Sequence, residues 1–219
     1  MSAAPHVARN VTLGEGHSLS FNLSQSAASL YESGLDKVTH SLAHGAGVFW
    51  QSYGDGADQT FAGLSVSDAR TWSDGQGRFQ MVNLQVTRRT RLSRNAGWSA
   101  NLTLQASRND AVEIDPFTGQ LQPLGQGWRQ FHSGTLSYEN QRAFGVPRLR
   151  LSVLLSANSQ QLERRSAGDV DAPRERISES LEGRLDYGIG RLEMRLTARV
   201  ARIEGNSVSA LFARLQRRF

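Results

Sequence analysis

The stretch GWSANLTLQASR, residues 97–108, carries the clearest fold signal in the chain, because apolar and polar residues alternate without a break from Trp98 to Ser107. The apolar parity is held by Trp98, Ala100, Leu102, Leu104 and Ala106. Ser, Asn, Thr and Gln occupy the positions between them. A period of two residues is that of a β-strand, whose successive side chains point to opposite faces. The stretch therefore predicts a strand with one apolar face and one polar face.

The segment before it, RFQMVNLQVTRRTRL, residues 78–92, alternates in the same way through Val82, Leu84 and Val86. A short turn at residues 93–96 separates the two segments. A tilted strand of about 9 to 11 residues is long enough to cross a bilayer. The pair therefore predicts a β-hairpin of membrane-strand length.

Five further alternating segments follow, and the connections between the strands differ in length. Short turns are predicted at residues 93–96, 142–148 and 188–190, and long polar loops at 108–129 and 159–176. Long and short connections alternate, as they do when short turns lie at one end of a membrane barrel and long loops at the other. Trp98, Tyr138 and Tyr187 all fall at the short-turn end, which predicts an aromatic interface girdle. A soluble sandwich, the alternative, has no need of such sorting.

The last segment, SALFARLQRRF, residues 209–219, places Leu211, Ala213, Leu215 and Phe219 on one parity. This ending resembles the C-terminal signature of Gram-negative outer-membrane β-barrel proteins, in which the chain ends on Phe after alternating apolar residues. Arg217 departs from that pattern. The resemblance implies recognition by the barrel assembly machinery, outer-membrane lipid around the barrel and location in the cell outer membrane, with the short turns on the periplasmic side.

The first 77 residues alternate less regularly and are expected to supply three strands. With the seven strands of residues 78–219 they make an all-β, antiparallel up-and-down transmembrane β-barrel of about ten strands. An even count would place both chain ends on the periplasmic side. The opening MSAAPHVARN has no apolar h-region of a secretory signal. It therefore stays open whether these strands are the C-terminal part of a larger barrel.

Composition excludes several other classes. The 219 residues are 38% hydrophobic with a mean hydropathy of −0.44, so no window of about 18 apolar residues exists for a transmembrane helix. Cysteine is absent, which removes disulfides, thiolate nucleophiles and zinc–thiolate sites. The net charge of +5 comes from arginines that never run longer than two in sequence, so no nucleic-acid partner is expected.

The polar parity carries a set of charged side chains that are predicted to face the barrel lumen. Its members are Arg89, Arg150, Arg184, Glu193, Arg195, Arg199 and Arg214. Rings of arginine favour anions, so one interpretation is a pore with a positive bias. The alternative is that arginines pair with acidic residues on neighbouring strands and fill a barrel too narrow to conduct.

No catalytic, metal or cofactor site is predicted. His40 and His44 are four residues apart, which on a strand separates them by about 13 Å, too far for one metal ion. His132 near the outer rim, with Asp110 and Asp115, leaves a rim-site hydrolase as a remaining alternative. The sequence therefore predicts a pore or an anchoring barrel without enzymatic activity. A barrel that binds a ligand or an unidentified periplasmic or extracellular protein is the other alternative.

Overall fold

The computed structural model describes residues 2–32, 37–54, 58–73, 76–114, 121–124, 127–161 and 175–217. Except for one 3₁₀ turn, Ala143–Gly145, the regular elements of this part of the chain are strands. They are β1 (Ser2–Ala3), β2 (His6–Gly14), β3 (His17–Glu32), β4 (Lys37–Tyr53), β5 (Gln59–Trp72), β6 (Gln76–Arg91), β7 (Ala96–Ile114), β8 (Leu121–Leu124), β9 (Trp128–Asn140), β10 (Leu149–Gln161), β11 (Glu175–Ile189), β12 (Leu192–Ile203) and β13 (Asn206–Arg217).

All strands join one antiparallel sheet, in which strands that follow one another along the chain are paired, except that β1 pairs with β3 and β9 pairs with β7. β1 and β2 lie on the same side of β3 in one continuous register, because Pro5 interrupts the strand without ending it: its carbonyl still accepts from the Gln25 N–H at 3.1 Å. β8 and β9 likewise share one side of β7. The sheet therefore has eleven strands. The all-β, up-and-down prediction is confirmed, and the strand beyond the expected ten is β1–β2.

The predicted loop at residues 108–129 is shorter than expected. β7 continues to Ile114, which pairs with Leu121 on β8, and the register between β7 and its partner shifts by one residue between the pairs Arg108–Trp128 and Ala111–Leu124. Polar composition suggested a loop here, but the strand continues as a hairpin arm. For the second predicted loop, at residues 159–176, β10 reaches Gln161 and β11 starts at Glu175, and residues 162–174 lie outside the described part.

The two ends of the sheet differ in the connections that they carry. The short-turn end carries the turns at residues 15–16, 92–95, 141–148 and 190–191, and the long-connection end is the one where residues 115–120 and 162–174 join strands. Because eleven is odd, β1 starts at the long-connection end and β13 finishes at the short-turn end. This corrects the expectation that both ends of the chain lie on one side.

The sheet is a single layer. Its accessible surface is 16228 Å², whereas a compact soluble protein of this mass would expose roughly 10,000 Å². Among the described residues, Ala143 is the one hydrophobic side chain that is buried. No second sheet or helix covers either face in the described ranges, so the packing is not that of a soluble sandwich.

The two faces differ in polarity along the whole register. One face, called the apolar face, carries rows such as Phe21–Val48–Leu64–Leu84–Leu104. The other, the polar face, carries rows such as Asn22–Gly47–Ser65–Asn83–Gln105. The register pairs apolar positions with apolar positions and polar positions with polar positions on neighbouring strands. The alternation within single segments therefore produces two continuous surfaces.

An aromatic pair on the polar face explains two buried glycines. The rings of Phe49 and Phe61 stack with centroids 6.0 Å apart. A Cβ at Gly63 would stand 2.6 Å from a ring carbon of Phe49, and one at Gly47 would stand 2.8 Å from the same ring. The Phe49 ring therefore packs directly over the backbone of Gly47 and Gly63, where any side chain larger than that of glycine would clash with the ring.

The outer edges of β2 and β13 have no strand partner among the described residues. Both strands run from the long-connection end to the short-turn end, so the two edges are parallel to each other. Closing these eleven strands on themselves would therefore need one parallel seam in an otherwise antiparallel sheet.

Candidate functional site

Four charged residues of the polar face stand side by side on four neighbouring strands near the short-turn end. Arg150 on β10 pairs in register with Asp186 on β11. Asp186 pairs with Arg195 on β12, and Arg195 pairs with Arg214 on β13. We call this set, together with Arg184 two positions from Asp186 on β11, the arginine row.

Asp186 orients two of the four guanidinium groups. Arg184 donates from Nε to Oδ2 of Asp186 at 2.7 Å, and Arg195 donates from Nε to Oδ1 at 2.7 Å. Their side chains are 38% and 46% exposed, and that of Asp186 is 29% exposed. Pairs this exposed contribute about 0.2–1 kcal/mol each to stability. Their main effect is to hold the guanidinium groups in place.

Positive charge remains after this pairing. In the described part of the chain no carboxylate lies within ion-pair distance of Arg150 or Arg214. A concavity of about 440 Å³ is lined by the arginine row together with Arg148 and Glu193. Five guanidinium groups there face two carboxylates, so the concavity has three surplus positive charges. Such a surface attracts anions.

The structure brings together five of the seven charged residues predicted to line a lumen, Arg150, Arg184, Glu193, Arg195 and Arg214. Arg199 lies on the same face, opposite Glu182, but four positions farther along β12, about 13 Å from Arg195. Arg89 belongs to a second polar-face concavity of about 660 Å³ at the short-turn end. Their role as pore lining stays a prediction.

Sequence reasoning missed basic residues that lie in turns. Arg148 has a φ of 65° in the turn before β10 and lines the first concavity. Arg94 lines the second, and Arg91 beside it donates to the carbonyls of Ser93 and Arg94. Two-residue alternation assigns no face to a turn residue, so no local signal marked Arg148 or Arg94.

Aromatic residues flank the apolar face at both ends. Trp98 and Tyr138 are cross-strand partners at the short-turn end, and Tyr187 pairs with Leu149 and Met194 nearby. At the long-connection end Trp72 and Trp128 are 40% and 46% exposed on the same face, and these two were not predicted.

The residues of the C-terminal signature lie on the apolar face of β13. Leu211, Ala213 and Leu215 pair with Ala198, Leu196 and Met194 on β12. Leu211 and Leu215 are each 70% exposed. Phe219 lies outside the described residues, so its part in an assembly signal stays a prediction.

The structure separates the residues considered for a hydrolase. His132 pairs with Leu104 on the apolar face, whereas Asp110 pairs with Arg78 six positions farther along β7, about 20 Å away. Asp115 lies outside the described residues. His40 stacks on Trp72 with centroids 5.8 Å apart. Where the structure describes the chain, no three His, Cys, Asp or Glu side chains gather as metal ligands would.

No protein-family model matches this sequence, and no curated protein matches it. Among solved structures the chain is similar to the crystal structure of the beta domain of the Bordetella autotransporter Brka, with 12% sequence identity and a TM-score of 0.43. The match covers 100% of this chain and 90% of that one. Within the described ranges, no helix has the length and hydrophobicity of a membrane span.

Proposed function

We propose that this chain forms a β-barrel of the outer membrane whose polar face lines a pore for anionic solutes. The apolar face would contact lipid, and the arginine row would lie inside the barrel near its short-turn end. Outer-membrane lipid and the barrel assembly machinery are the partners that this role requires.

The single-layer construction supports the membrane part of the proposal. Large apolar side chains such as Leu64, Val66 and Leu136 are 44–47% exposed in the middle of their strands. Burying apolar area gains about 25 cal/mol per Å², and no element of the described chain supplies that cover. A bilayer does so along the whole face, while the hydrogen bonds within the sheet satisfy the backbone.

The spacing of the aromatic residues agrees with this placement. Trp98 and Arg108, the partner of Trp128, are ten residues apart on β7, about 33 Å along the strand. At the strand tilt of about 35–45° that is usual in outer-membrane barrels, this length corresponds to an apolar band about 25 Å tall. Aromatic girdles at both borders of such a band are typical of these proteins.

The arginine row is the observation that supports anion passage. Asp186 neutralises only part of its charge, so Arg150 and Arg214 keep guanidinium groups for a passing anion. In a water-filled pore, rings of arginine side chains favour anions over cations.

The test is the reversal potential of the refolded chain in a planar bilayer under a KCl gradient. The wild-type chain should conduct with preference for chloride, and Arg150→Gln/Arg214→Gln should lose most of that preference. Arg142→Gln/Arg191→Gln, which removes the same charge from turns, is the matched control and should keep it. A lack of conductance, or equal selectivity in all three proteins, would contradict the pore.

A second candidate is binding through the arm formed by β7 and β8. β8 lies farther toward the long-connection end than the last described residue of β10. No described strand therefore pairs with the outer edge of β8. An unpaired edge can accept a strand from a partner. Replacing residues 111–124 with a two-residue turn should abolish such binding and leave conductance intact.

A further inference from the structure

On β5, β6 and β7 the apolar face ends abruptly toward the long-connection end. Its last apolar row is Ala46–Val66–Val82–Ala106. The next row, two residues farther along each strand, is His44–Asp68–Gln80–Arg108–Trp128, and the one after it contains Arg70, Arg78 and Asp110. We call Asp68, Arg70, Arg78, Arg108 and Asp110 the outer charge belt. It shares its face with the apolar rows and lies level with Trp72 and Trp128.

The carboxylates of the belt hold its arginines in fixed positions. Arg78 binds Asp68 through two bonds, Nε to Oδ1 at 2.7 Å and Nη2 to Oδ2 at 3.3 Å. Arg70 donates from Nη2 to the same carboxylate at 3.3 Å. Arg108 donates from Nε to Oδ1 of Asp110 at 2.9 Å, and the same Nε lies 2.7 Å from Oδ2.

The belt keeps both charge and hydrogen-bond donors for a further ligand. Three guanidinium groups face two carboxylates, which leaves one surplus positive charge. Each guanidinium has five N–H donors, and these contacts use only one or two of them. The side chains of Arg70, Arg78 and Arg108 are 54%, 43% and 41% exposed. Planar donor groups of this kind suit the oxygens of a phosphate.

An apolar groove leads up to the belt. A concavity of about 550 Å³ on this face is lined by Val7, Leu23, Ala46, Val66 and Val82. Toward the long-connection end it is bounded by His44, Asp68, Gln80 and Trp128. It is far more apolar than the two concavities of the polar face. An apolar groove that ends in a charged rim matches a molecule with a hydrocarbon tail and an anionic head.

We propose that the groove and the outer charge belt bind one phosphorylated membrane lipid, with an acyl chain along Val66 and Val82 and its phosphate on Arg70, Arg78 and Arg108. This inference rests on the proposed membrane placement, because only then does a lipid leaflet lie against this face. The belt lies at the border of the apolar band, the depth at which lipid phosphates lie. A free phosphate ion has no hydrocarbon part that would fill the apolar groove.

The experiment titrates fluorescent bis-phosphorylated lipid A, and separately its dephosphorylated form, into the refolded chain in neutral detergent micelles. The wild-type chain should bind the phosphorylated form at least about tenfold more tightly, since each basic residue near an anionic lipid contributes about 1 kcal/mol. Arg70→Gln/Arg78→Gln/Arg108→Gln should remove that difference. If the triple variant fails to fold, Arg70→Gln alone replaces it in the test. This change loses a single 3.3 Å contact and should weaken binding severalfold.

Two controls sharpen the result. Arg94→Gln/Arg142→Gln/Arg191→Gln removes the same charge at the short-turn end and should bind like wild type. Val66→Trp/Val82→Trp fills the groove and should weaken both forms of the lipid.

Equal binding of the phosphorylated and dephosphorylated lipids, or equal binding by the triple belt variant, would overturn the proposal. So would displacement by millimolar inorganic phosphate, which would indicate a site for free anions. The belt variant should keep the wild-type reversal potential, so a failure confined to lipid binding leaves the pore standing. Absence of conductance in the wild-type chain would contradict the proposed pore instead.

Discussion

Asp186 on β11 accepts a 2.7 Å hydrogen bond from Arg195, its partner across the β11–β12 hairpin, and a second one from Arg184 on its own strand. One carboxylate thus positions two guanidinium groups at the centre of the arginine row. A substitution at Asp186 is therefore the most direct way to change the net charge of the arginine row.

Asp186→Asn should make the pore more selective for anions, because it removes a negative charge from a row that already has a positive surplus. The loss of two exposed ion pairs should cost no more than about 2 kcal/mol of stability. Reversal potentials under a KCl gradient measure the first effect, and the urea midpoint of the refolded chain measures the second. Glu179→Gln, which removes one negative charge from the apolar face of the same strand, is the control; an equal change in selectivity there would contradict a local effect.

Leu104→Arg should impair insertion, whereas Thr103→Arg should not. Leu104 lies in an apolar row between Leu84 and His132, and Thr103 lies on the polar face between Gln85 and Ser133. Arginine on the lipid face near the midplane costs about 2–4 kcal/mol. The fraction folded into lipid vesicles, read from cold gel mobility, checks this. Equal damage from both changes would mean that the faces are wrongly assigned.

Gly63→Ala should lower the free energy of unfolding by about 1–3 kcal/mol, because the new Cβ would stand 2.6 Å from a carbon of Phe49. Gly183→Ala is the matched control, since a Cβ there meets nothing within 4 Å. Urea titration of both variants in the same detergent gives the difference. Similar midpoints for the two would show that the Phe49 ring moves aside freely.

The refolded chain should migrate differently on SDS gels before and after boiling. Unpaired backbone groups at the edges of β2 and β13 would each cost several kcal/mol in lipid, so we expect the two edges to pair and close a barrel that SDS opens only with heat. Identical mobility in both samples would show that these eleven strands do not close on themselves and that the edges require another strand.

Much of the fold could be predicted from local pattern. Trp98 to Ala106 alternate so regularly that both the strand and its faces followed, and the same held for Leu211 to Leu215. The β1–β2 strand was missed because Arg9 interrupts the apolar parity between Val7 and Val11, and Pro5 interrupts the strand itself. The far part of β7 was missed because its polar composition resembled a loop.

The sequence by itself determined which residues share a face, because the period of a strand is a local property of the backbone. Only the tertiary structure decided which of those residues become neighbours. Arg150, Asp186, Arg195 and Arg214 are up to 64 positions apart along the chain, and inter-strand register alone brings them into one row. Register depends on hydrogen-bond pairing along whole strands and on the geometry of each turn, and alternation within a single segment does not contain that information.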